Sequence, residues 1–354
     1  MALQGSDPAV LTDRIEAPWV AAFEEVLRLC GAAPDLPLCL LGESQSRPLN
    51  LELAELAALR LGCRPLRCIL PSPAETAPVP VRSTGASRAL RGHPVALAAL
   101  RASPLILDLT VEGLLHAPEL REVLAAGSRV MMVSNEHPEA LARLVPRPED
   151  APPVKQAVRR ARAARRMRVT SAAGTELDIT LEGAAVAGVW GWTDRPGTVA
   201  HWPGGVVVCF PAAGSVRGRL VLDAGDANLT FKRYLERKVT LTLESDHITA
   251  IEGEGTDAEL MRRYLAAWGD PAAYAVSHVG WGLNPRARYE ALAMYDRRDT
   301  NGTELRCFAG NFLFSTGANE FAGRFTEGHF DIPVRNCTIT LDGVAVVDAG
   351  RLVA

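Results

Sequence analysis

The sequence contains a short unit, His329-Phe330-Asp331, in which an imidazole and a carboxylate stand two residues apart. On a β-strand, residues i and i+2 point to the same side, so one metal ion could accept both side chains. Two histidines and one carboxylate, with coordination positions left open, form the ligand set of non-haem Fe(II) oxygenases. The unit alone is weak evidence, and the hypothesis of an iron site needs a second histidine.

His278 is the candidate for that second histidine. It lies in the stretch SHVGWGLNP (277–285), which we interpret as a glycine-spaced loop with an apolar flank. A packed loop histidine that binds no metal is an equally good interpretation of these residues.

Two further residues could take part in chemistry. His116 follows a predicted strand (105–110) by a few residues, and ligand clefts of parallel sheets open at such carboxyl ends. Its imidazole suits proton transfer near neutral pH, although it could equally be a helix-start residue without a chemical role. Arg306 lies in an apolar stretch and needs an anionic partner, either a substrate oxyanion or a structural carboxylate.

The elements that must position these residues change type along the chain. Short apolar runs alternate with helical stretches up to about residue 150, which predicts a doubly wound parallel α/β sheet. The predicted strands are 36–41, 65–70, 105–110 and 129–134, and the predicted helices are 17–30, 50–61, 87–101, 118–125 and 138–144. No G-x-G-x-x-G follows a strand, so a dinucleotide site is not indicated.

Residues 145–154 hold four prolines and predict a linker, which divides the chain into domains 1–150 and 151–354. A basic helix is predicted at 155–168. We favour a solvated helix face over nucleic-acid binding there, because no aromatic residues interleave with the charges. Beyond residue 168, alternating segments between Gly and Pro turns predict a mainly antiparallel α+β metal-binding domain with one clear helix, at 257–268.

The composition is that of an ordinary globular protein. The 354 residues carry a net charge of −3, so no basic field would attract nucleic acid or acidic membranes. No apolar run is long enough to span a bilayer. The seven cysteines form no C-x-x-C pair and sit mostly in apolar runs, which predicts a reducing cytoplasm without disulfides.

Several stretches resemble the 2,5-dihydroxypyridine 5,6-dioxygenases, the ring-opening enzymes of nicotinate breakdown. The similar stretches are HWPGG (201–205), SHVGWGLNPRA (277–287), GNFLFSTGAN (310–319), HFDIPVRNCTITLDG (329–343) and, more weakly, LLHAPELREVL (114–124). The resemblance implies cleavage of 2,5-dihydroxypyridine by O2 to N-formylmaleamic acid, and a homo-oligomer.

The resemblance also implies roles for individual residues. One Fe(II) would be held by His278, His329 and Asp331, and His116 would be the acid–base residue. The ring would be contacted by His201, Arg306 and Ser315.

One position departs from the family. Val189 stands where the family has a glutamate that helps to hold the pyridine. Valine can neither donate nor accept a hydrogen bond, so the exact ring stays open. Either the substrate has an apolar edge there, or a nearby polar residue such as Thr193 or Arg195 replaces the glutamate.

The chain more distantly resembles thermophilic-type metallo-aminopeptidases, which share the two-domain plan and bind two metals with extra glutamates. It has His278 and Val206 where that pattern has carboxylates, which argues against a dinuclear hydrolase. A binding domain without catalysis is the third hypothesis. Metal count and O2 uptake would separate the three.

Overall fold

The computed structural model describes residues 14–74 and 87–353. Its helices are α1 (Ala17–Leu29), α2 (Pro48–Arg60), α3 (Pro94–Ala102), α4 (Leu120–Ala125), α5 (Pro138–Arg143), α6 (Ala151–Ala163), α7 (Thr256–Ala267), α8 (Ala291–Met294) and α9 (Thr303–Cys307). Its strands are β1 (Pro37–Glu43), β2 (Arg64–Leu70), β3 (Leu105–Asp108), β4 (Arg129–Met132), β5 (Arg166–Ser171), β6 (Glu176–Thr180), β7 (Ala185–Val189), β8 (Val199–His201), β9 (Val206–Phe210), β10 (Val216–Leu222), β11 (Ala227–Asn228), β12 (Arg233–Tyr234), β13 (Val239–Glu244), β14 (His247–Glu252), β15 (Val276–Gly282), β16 (Phe312–Thr316), β17 (Phe330–Val334), β18 (Cys337–Leu341), β19 (Val344–Asp348) and β20 (Arg351–Leu352).

The first half forms a parallel sheet with helices on both faces, as predicted. The strand order is β2-β1-β3-β4-β8, and every pairing in it is parallel. Because side chains alternate along a strand, Leu38 and Leu40 pack into a core with α1 and α2. Their neighbours Cys39 and Leu41 pack into a second core with α3 and α4 on the opposite face.

Prolines begin several helices of this half. Pro94 is the first residue of α3, so the predicted helix 87–101 began too early. Proline is favoured at the first helical position because its missing N–H would have no partner there anyway. Residues 145–154, predicted to be a linker, contain a 3₁₀ turn at Pro148–Asp150 and the start of α6, which begins at Ala151 with prolines in its first turn.

The basic segment divides into two elements. Helix α6 spans Ala151–Ala163 and the chain is then extended in β5, so the predicted helix 155–168 both began and ended too late. The division at residue 150 stays a prediction. Strand β8, which that division assigns to the second domain, pairs with β4 of the first sheet.

The second half is mainly antiparallel, as predicted. An eight-stranded sheet runs β14-β13-β10-β6-β5-β18-β19-β20, and a five-stranded sheet runs β17-β16-β15-β9-β7. The main hydrophobic core lies between them and includes Leu177, Leu220 and Phe312. None of the helices in the described ranges is both long and apolar enough to cross a membrane.

The five-stranded antiparallel sheet packs one face against this core, and its other face lines a pocket. Phe314, Phe330 and Ile332 point into the core. Their strand neighbours Ser315 and Asp331 point to the opposite face, because side chains alternate along a strand. That face lies towards the carboxyl ends of the parallel strands β3, β4 and β8, as the residues lining the pocket between them show.

Candidate active site

The segment that carries His278 is a strand, so our interpretation of it as a loop was wrong. All seven residues of β15 are buried. A Cβ on Gly280 would lie 2.0 Å from the Val207 carbonyl oxygen, and one on Gly282 would lie 2.0 Å from that of Phe308. These glycines are therefore needed for close backbone approach within the sheet. The pairing with β16 shifts register between Val276 and Val279, an irregularity that can re-aim the side chains within it.

The pocket-facing side of the five-stranded antiparallel sheet brings together His278, His329 and Asp331. Asp331 Oδ1 lies 3.2 Å from His329 Nε2 and 3.8 Å from His278 Nε2. Ser315 pairs directly with Asp331 in the sheet. Its hydroxyl bonds to the Asp331 carboxylate and lies 3.0 Å from His278 Nε2.

The charge states of these groups suit a divalent cation. Burial lowers the pKa of His278 to about 3, so its imidazole is neutral and keeps a free lone pair. Burial raises the pKa of Asp331, but the charges of Arg306 and His329 outweigh it, and its pKa lies well below the usual value. Two imidazole nitrogens and one carboxylate are the donors that Fe(II) takes in mononuclear oxygenases.

The spacing of the donor atoms is also compatible with one metal ion. Two ligands about 2.1 Å from a metal and at right angles to each other are about 3.0 Å apart. Across the described ranges, no three His, Cys, Asp or Glu side chains form a ready-made metal cluster. At this site the donors bond to Ser315 and to Arg306, so metal binding would exchange some of these contacts for metal bonds.

His116 faces the two histidines from the parallel sheet. Its ring centre is 5.2 Å from that of His329 and 6.0 Å from that of His278. The loop between β3 and His116 is shaped by Asp108, the last residue of β3. Its carboxylate accepts hydrogen bonds from the Thr110 hydroxyl and the Leu114 N–H, at 2.6 and 2.7 Å.

A partner of His116 escaped the sequence analysis. His116 Nδ1 lies 2.9 Å from an oxygen of Glu320. Burial raises the pKa of Glu320, but the hydrogen bond and charge of His116 outweigh it and the pKa is lowered. Glu320 directly follows the stretch GNFLFSTGAN and belongs to no motif, so nothing in the sequence marked it.

His201 ends β8 and points into the same pocket. Its neighbours Ala200 and Trp202 are buried in the first-half core. Nδ1 donates to the Pro203 carbonyl oxygen at 2.6 Å, which leaves Nε2 as an acceptor. Burial lowers the pKa of His201 to about 4, so the ring is neutral at physiological pH.

Arg306 has a carboxylate partner within the protein. Its Nε donates to Asp331 Oδ2 at 2.5 Å, and Nη1 donates to Asn301 Oδ1 at 2.9 Å. Glu136 from the first half accepts hydrogen bonds from the Asn301 and Thr303 N–H groups, at 3.2 and 2.5 Å, and so holds the start of α9. Of the two alternatives, the structural carboxylate is present.

The pocket has a polar side and an apolar side. The polar side carries the candidate metal ligands, His116, His201 and Arg306, with Ser134 and Glu112. The apolar side is formed by Ala187, Val189, Val206, Val208 and Leu313. Neither Thr193 nor Arg195 lines the pocket, and the Thr193 hydroxyl bonds to Thr198, so neither replaces the glutamate that the resemblance implies at residue 189.

Comparisons with known proteins show the family of this chain. A family model described as 2,5-dihydroxypyridine 5,6-dioxygenase matches residues 18–354. This chain belongs to that family. A curated 2,5-dihydroxypyridine 5,6-dioxygenase of Pseudomonas putida KT2440 is 39% identical over 336 residues, which are 94% of this chain and 95% of the relative.

Solved structures show the same relationship. The structure of 2,5-dihydroxypyridine dioxygenase from Pseudomonas putida KT2440 aligns with a TM-score of 0.90 at 38% identity, covering 96% of this chain and 99% of that one. Wild-type AmpT from Thermus thermophilus, an aminopeptidase, aligns with a TM-score of 0.60 at 15% identity over 95% of this chain and 99% of its own. The second likeness concerns the fold alone. Both resemblances that the sequence suggested, to the dioxygenase family and distantly to the peptidases, are confirmed.

Proposed function

We propose that this member of the dioxygenase family uses one Fe(II) and O2 to open the ring of 2,5-dihydroxypyridine, or of a close analogue, to N-formylmaleamic acid or its counterpart. The observation that carries the proposal is the meeting of His278, His329 and Asp331 in a pocket shared with His116 and His201. His278, His329 and Asp331 would hold the metal. Iron(II), when bound, supplies the redox chemistry that allows O2 to react with an aromatic ring.

The protein's own groups would bind and orient the ring. Neutral His201 offers Nε2 as an acceptor to a ring N–H or hydroxyl. Arg306 holds Asp331 in place and keeps a positive charge beside the developing oxyanion of the substrate. The Ser315 hydroxyl donates to Asp331 and would help to orient this carboxylate beside His278.

His116 would move the proton. With Nδ1 bonded to Glu320, its Nε2 is the ring nitrogen available to take the proton of a substrate hydroxyl. The same nitrogen would return the proton to the opened product.

The absence of extra carboxylates separates this proposal from a dinuclear hydrolase. Among the described residues, only Asp331 and Glu112 supply carboxylates to the pocket lining. Val206, at the position where peptidases have a glutamate, lies on the apolar wall. Two dications would need more anionic ligands than this pocket offers.

The test combines metal content with oxygen consumption. Protein loaded anaerobically with Fe(II) should contain about one iron per chain by elemental analysis and consume one O2 per 2,5-dihydroxypyridine, with both atoms of ¹⁸O2 in the product. His278→Ala, His329→Ala and Asp331→Ala should lose iron while keeping the folded circular-dichroism spectrum. The control variant His247→Ala, which changes a residue of β14 outside the pocket, should keep its iron. Two metals per chain, or turnover of a peptide without O2 uptake, would overturn the proposal.

A homo-oligomer in the cytoplasm completes the proposal. The family resemblance supports the homo-oligomer. The seven cysteines, which form no disulfide and six of which are buried, support the cytoplasmic location. Light scattering coupled to gel filtration of the purified protein would give the oligomeric state, and a monomer would contradict this part.

A further inference from the structure

Glu320 reaches the site from the opposite half of the molecule to His116. It begins the 3₁₀ turn Glu320–Ala322 after β16. The two residues are 204 positions apart, yet Glu320 Oε1 and His116 Nδ1 are 2.9 Å apart. The side chains of His116 and Glu320 are 3% and 24% exposed, so the contact is largely shielded from water.

The neighbouring Asn319 fixes the turn that carries Glu320. Asn319 is fully buried. Its Nδ2 donates to the Pro211 carbonyl oxygen at 3.0 Å, and its Oδ1 accepts the Ala322 N–H at 3.1 Å. Its backbone also forms two hydrogen bonds with Arg324. The carboxylate of Glu320 is therefore presented by a locked backbone rather than by a loose loop.

The contact decides which ring nitrogen of His116 can do chemistry. An ionised carboxylate can only accept a hydrogen bond, so His116 Nδ1 must carry the hydrogen. Nε2 then holds the lone pair and is free to act at the pocket. In histidine–carboxylate pairs of this kind the carboxylate holds the tautomer and orientation of the ring and stabilises the imidazolium that forms.

We propose that Glu320 is a positioning residue for His116: it fixes the Nδ1–H tautomer, aims Nε2 at the substrate and balances the charge when Nε2 takes the substrate proton. The inference rests on the acid–base role proposed for His116. In that step the substrate O–H bond breaks, an Nε2–H bond forms, and the electron pair stays on the substrate oxygen. The proton remains on Nε2 until the product takes it back, and Glu320 stays ionised throughout.

A second glutamate of the same segment provides the matched control. Glu327 also joins the two halves, through contacts with Arg91 at 3.0 Å and Arg88 at 3.4 Å. Neither glutamate lines the pocket, but Glu320 bonds to His116 whereas Glu327 contacts these arginines. If Glu320 served only to join the halves, as Glu327 does, its replacement would alter stability without a selective effect on turnover.

The experiment measures iron-loaded wild type, Glu320→Ala, Glu320→Gln and Glu327→Ala by O2 uptake, with iron content and thermal unfolding recorded for each. Glu320→Ala should lower kcat by about 100-fold, at the lower end of what general acid–base catalysis contributes. KM and iron content should stay near wild type. Glu320→Gln keeps an acceptor but no charge and should lose about 10-fold, and Glu327→Ala should keep the wild-type kcat.

A double-mutant comparison adds a readout that a purely structural role would not move. In the His116→Ala background, Glu320→Ala should cause no further loss of kcat, because residues that act as one unit are strongly non-additive. Under anaerobic conditions, the absorbance of bound substrate should show less of the deprotonated form in Glu320→Ala than in wild type at equal occupancy.

Wild-type kcat in Glu320→Ala, or a full additional loss in the His116→Ala background, would overturn the inference and leave the proposed function standing. No O2 uptake by iron-loaded wild type would instead overturn the proposed function.

Discussion

Val189 stands on the apolar side of the pocket, at the position where the resemblance to the family implies a glutamate. It is the last residue of β7 and pairs with Val206 of β9. With Val208 and Leu313 these side chains form a continuous wall without a hydrogen-bonding group. A ring N–H or hydroxyl turned towards this wall would therefore be buried without a partner.

The cost of such a contact can be estimated. A buried polar group left unsatisfied costs about 1–3 kcal/mol, which is roughly 5- to 150-fold in kcat/KM. His201 on the polar side can accept only one such hydrogen bond through Nε2. We therefore expect wild type to be less efficient with 2,5-dihydroxypyridine than with a ring that is apolar at the edge facing Val189.

The assay compares kcat/KM for 2,5-dihydroxypyridine among wild type, Val189→Glu, Val189→Gln and Val208→Gln. We expect both changes at residue 189 to raise kcat/KM by about 10- to 100-fold, since each restores a hydrogen-bonding group. Val208→Gln makes the same wall polar at another point and should bring no gain. A wild type that is already fully efficient, with no gain from Val189→Glu, would refute the reasoning and show that residue 189 does not mark a change of specificity.

Three further predictions concern stability and positioning. Burial lowers the pKa of His201 from its ordinary value of 6.5 to about 4 in the folded protein, so between these values only the unfolded chain binds the proton. Stability therefore falls as pH falls from 6.5 to 4 and is unaffected above 6.5. Over this pH range, the unfolding free energy of His201→Gln, measured by denaturant titration, should fall by up to about 3 kcal/mol less than that of wild type. An unchanged pH dependence would contradict the assignment. Arg143 forms two hydrogen bonds with the buried Glu304 across the two halves, at 2.7 and 2.9 Å, so Arg143→Met should cost about 3 kcal/mol of unfolding free energy. The exposed Arg263→Met should cost nothing measurable, and equal losses would argue against a burial effect. Asp108→Asn should turn an amide N–H towards the Leu114 N–H, in the loop that precedes His116, and so displace this loop. We expect a lower kcat at an unchanged iron content. An unchanged kcat would show that the loop holds its shape without this carboxylate.

Local patterns were sufficient for most of the first half. Apart from the start of α3, the elements up to α5 were predicted within a few residues because continuous apolar runs and helical periodicity are properties of the segments themselves. The errors fell where two local signals compete. The prolines of 145–154 are typical of a linker and also of a helix start, and the buried sheet beside α6 decides for the helix. The glycines of SHVGWG suggest a loop, but here they permit neighbouring strands to approach.

The site itself was accessible from sequence only where its residues share one strand. His329 and Asp331 are two residues apart next to and within β17, so their common direction follows from the period of a strand. Placing Ser315 beside Asp331 requires the register of two strands, and placing His278 requires the irregularity between Val276 and Val279. Neither is encoded in local spacing.

The contacts that join the two halves lie further still beyond local spacing, and the proposed chemistry depends on them. His116 and Glu320 come from opposite halves, and Glu136 of the first half holds the helix that carries Arg306. A substrate proton can be taken only if the parallel sheet and the antiparallel sheet keep a fixed distance, since Nε2 must stay within hydrogen-bond reach of the reacting oxygen. The ion pair between Arg143 and Glu304 joins the two halves, so it would also help to keep the proposed base and the candidate metal ligands in one arrangement.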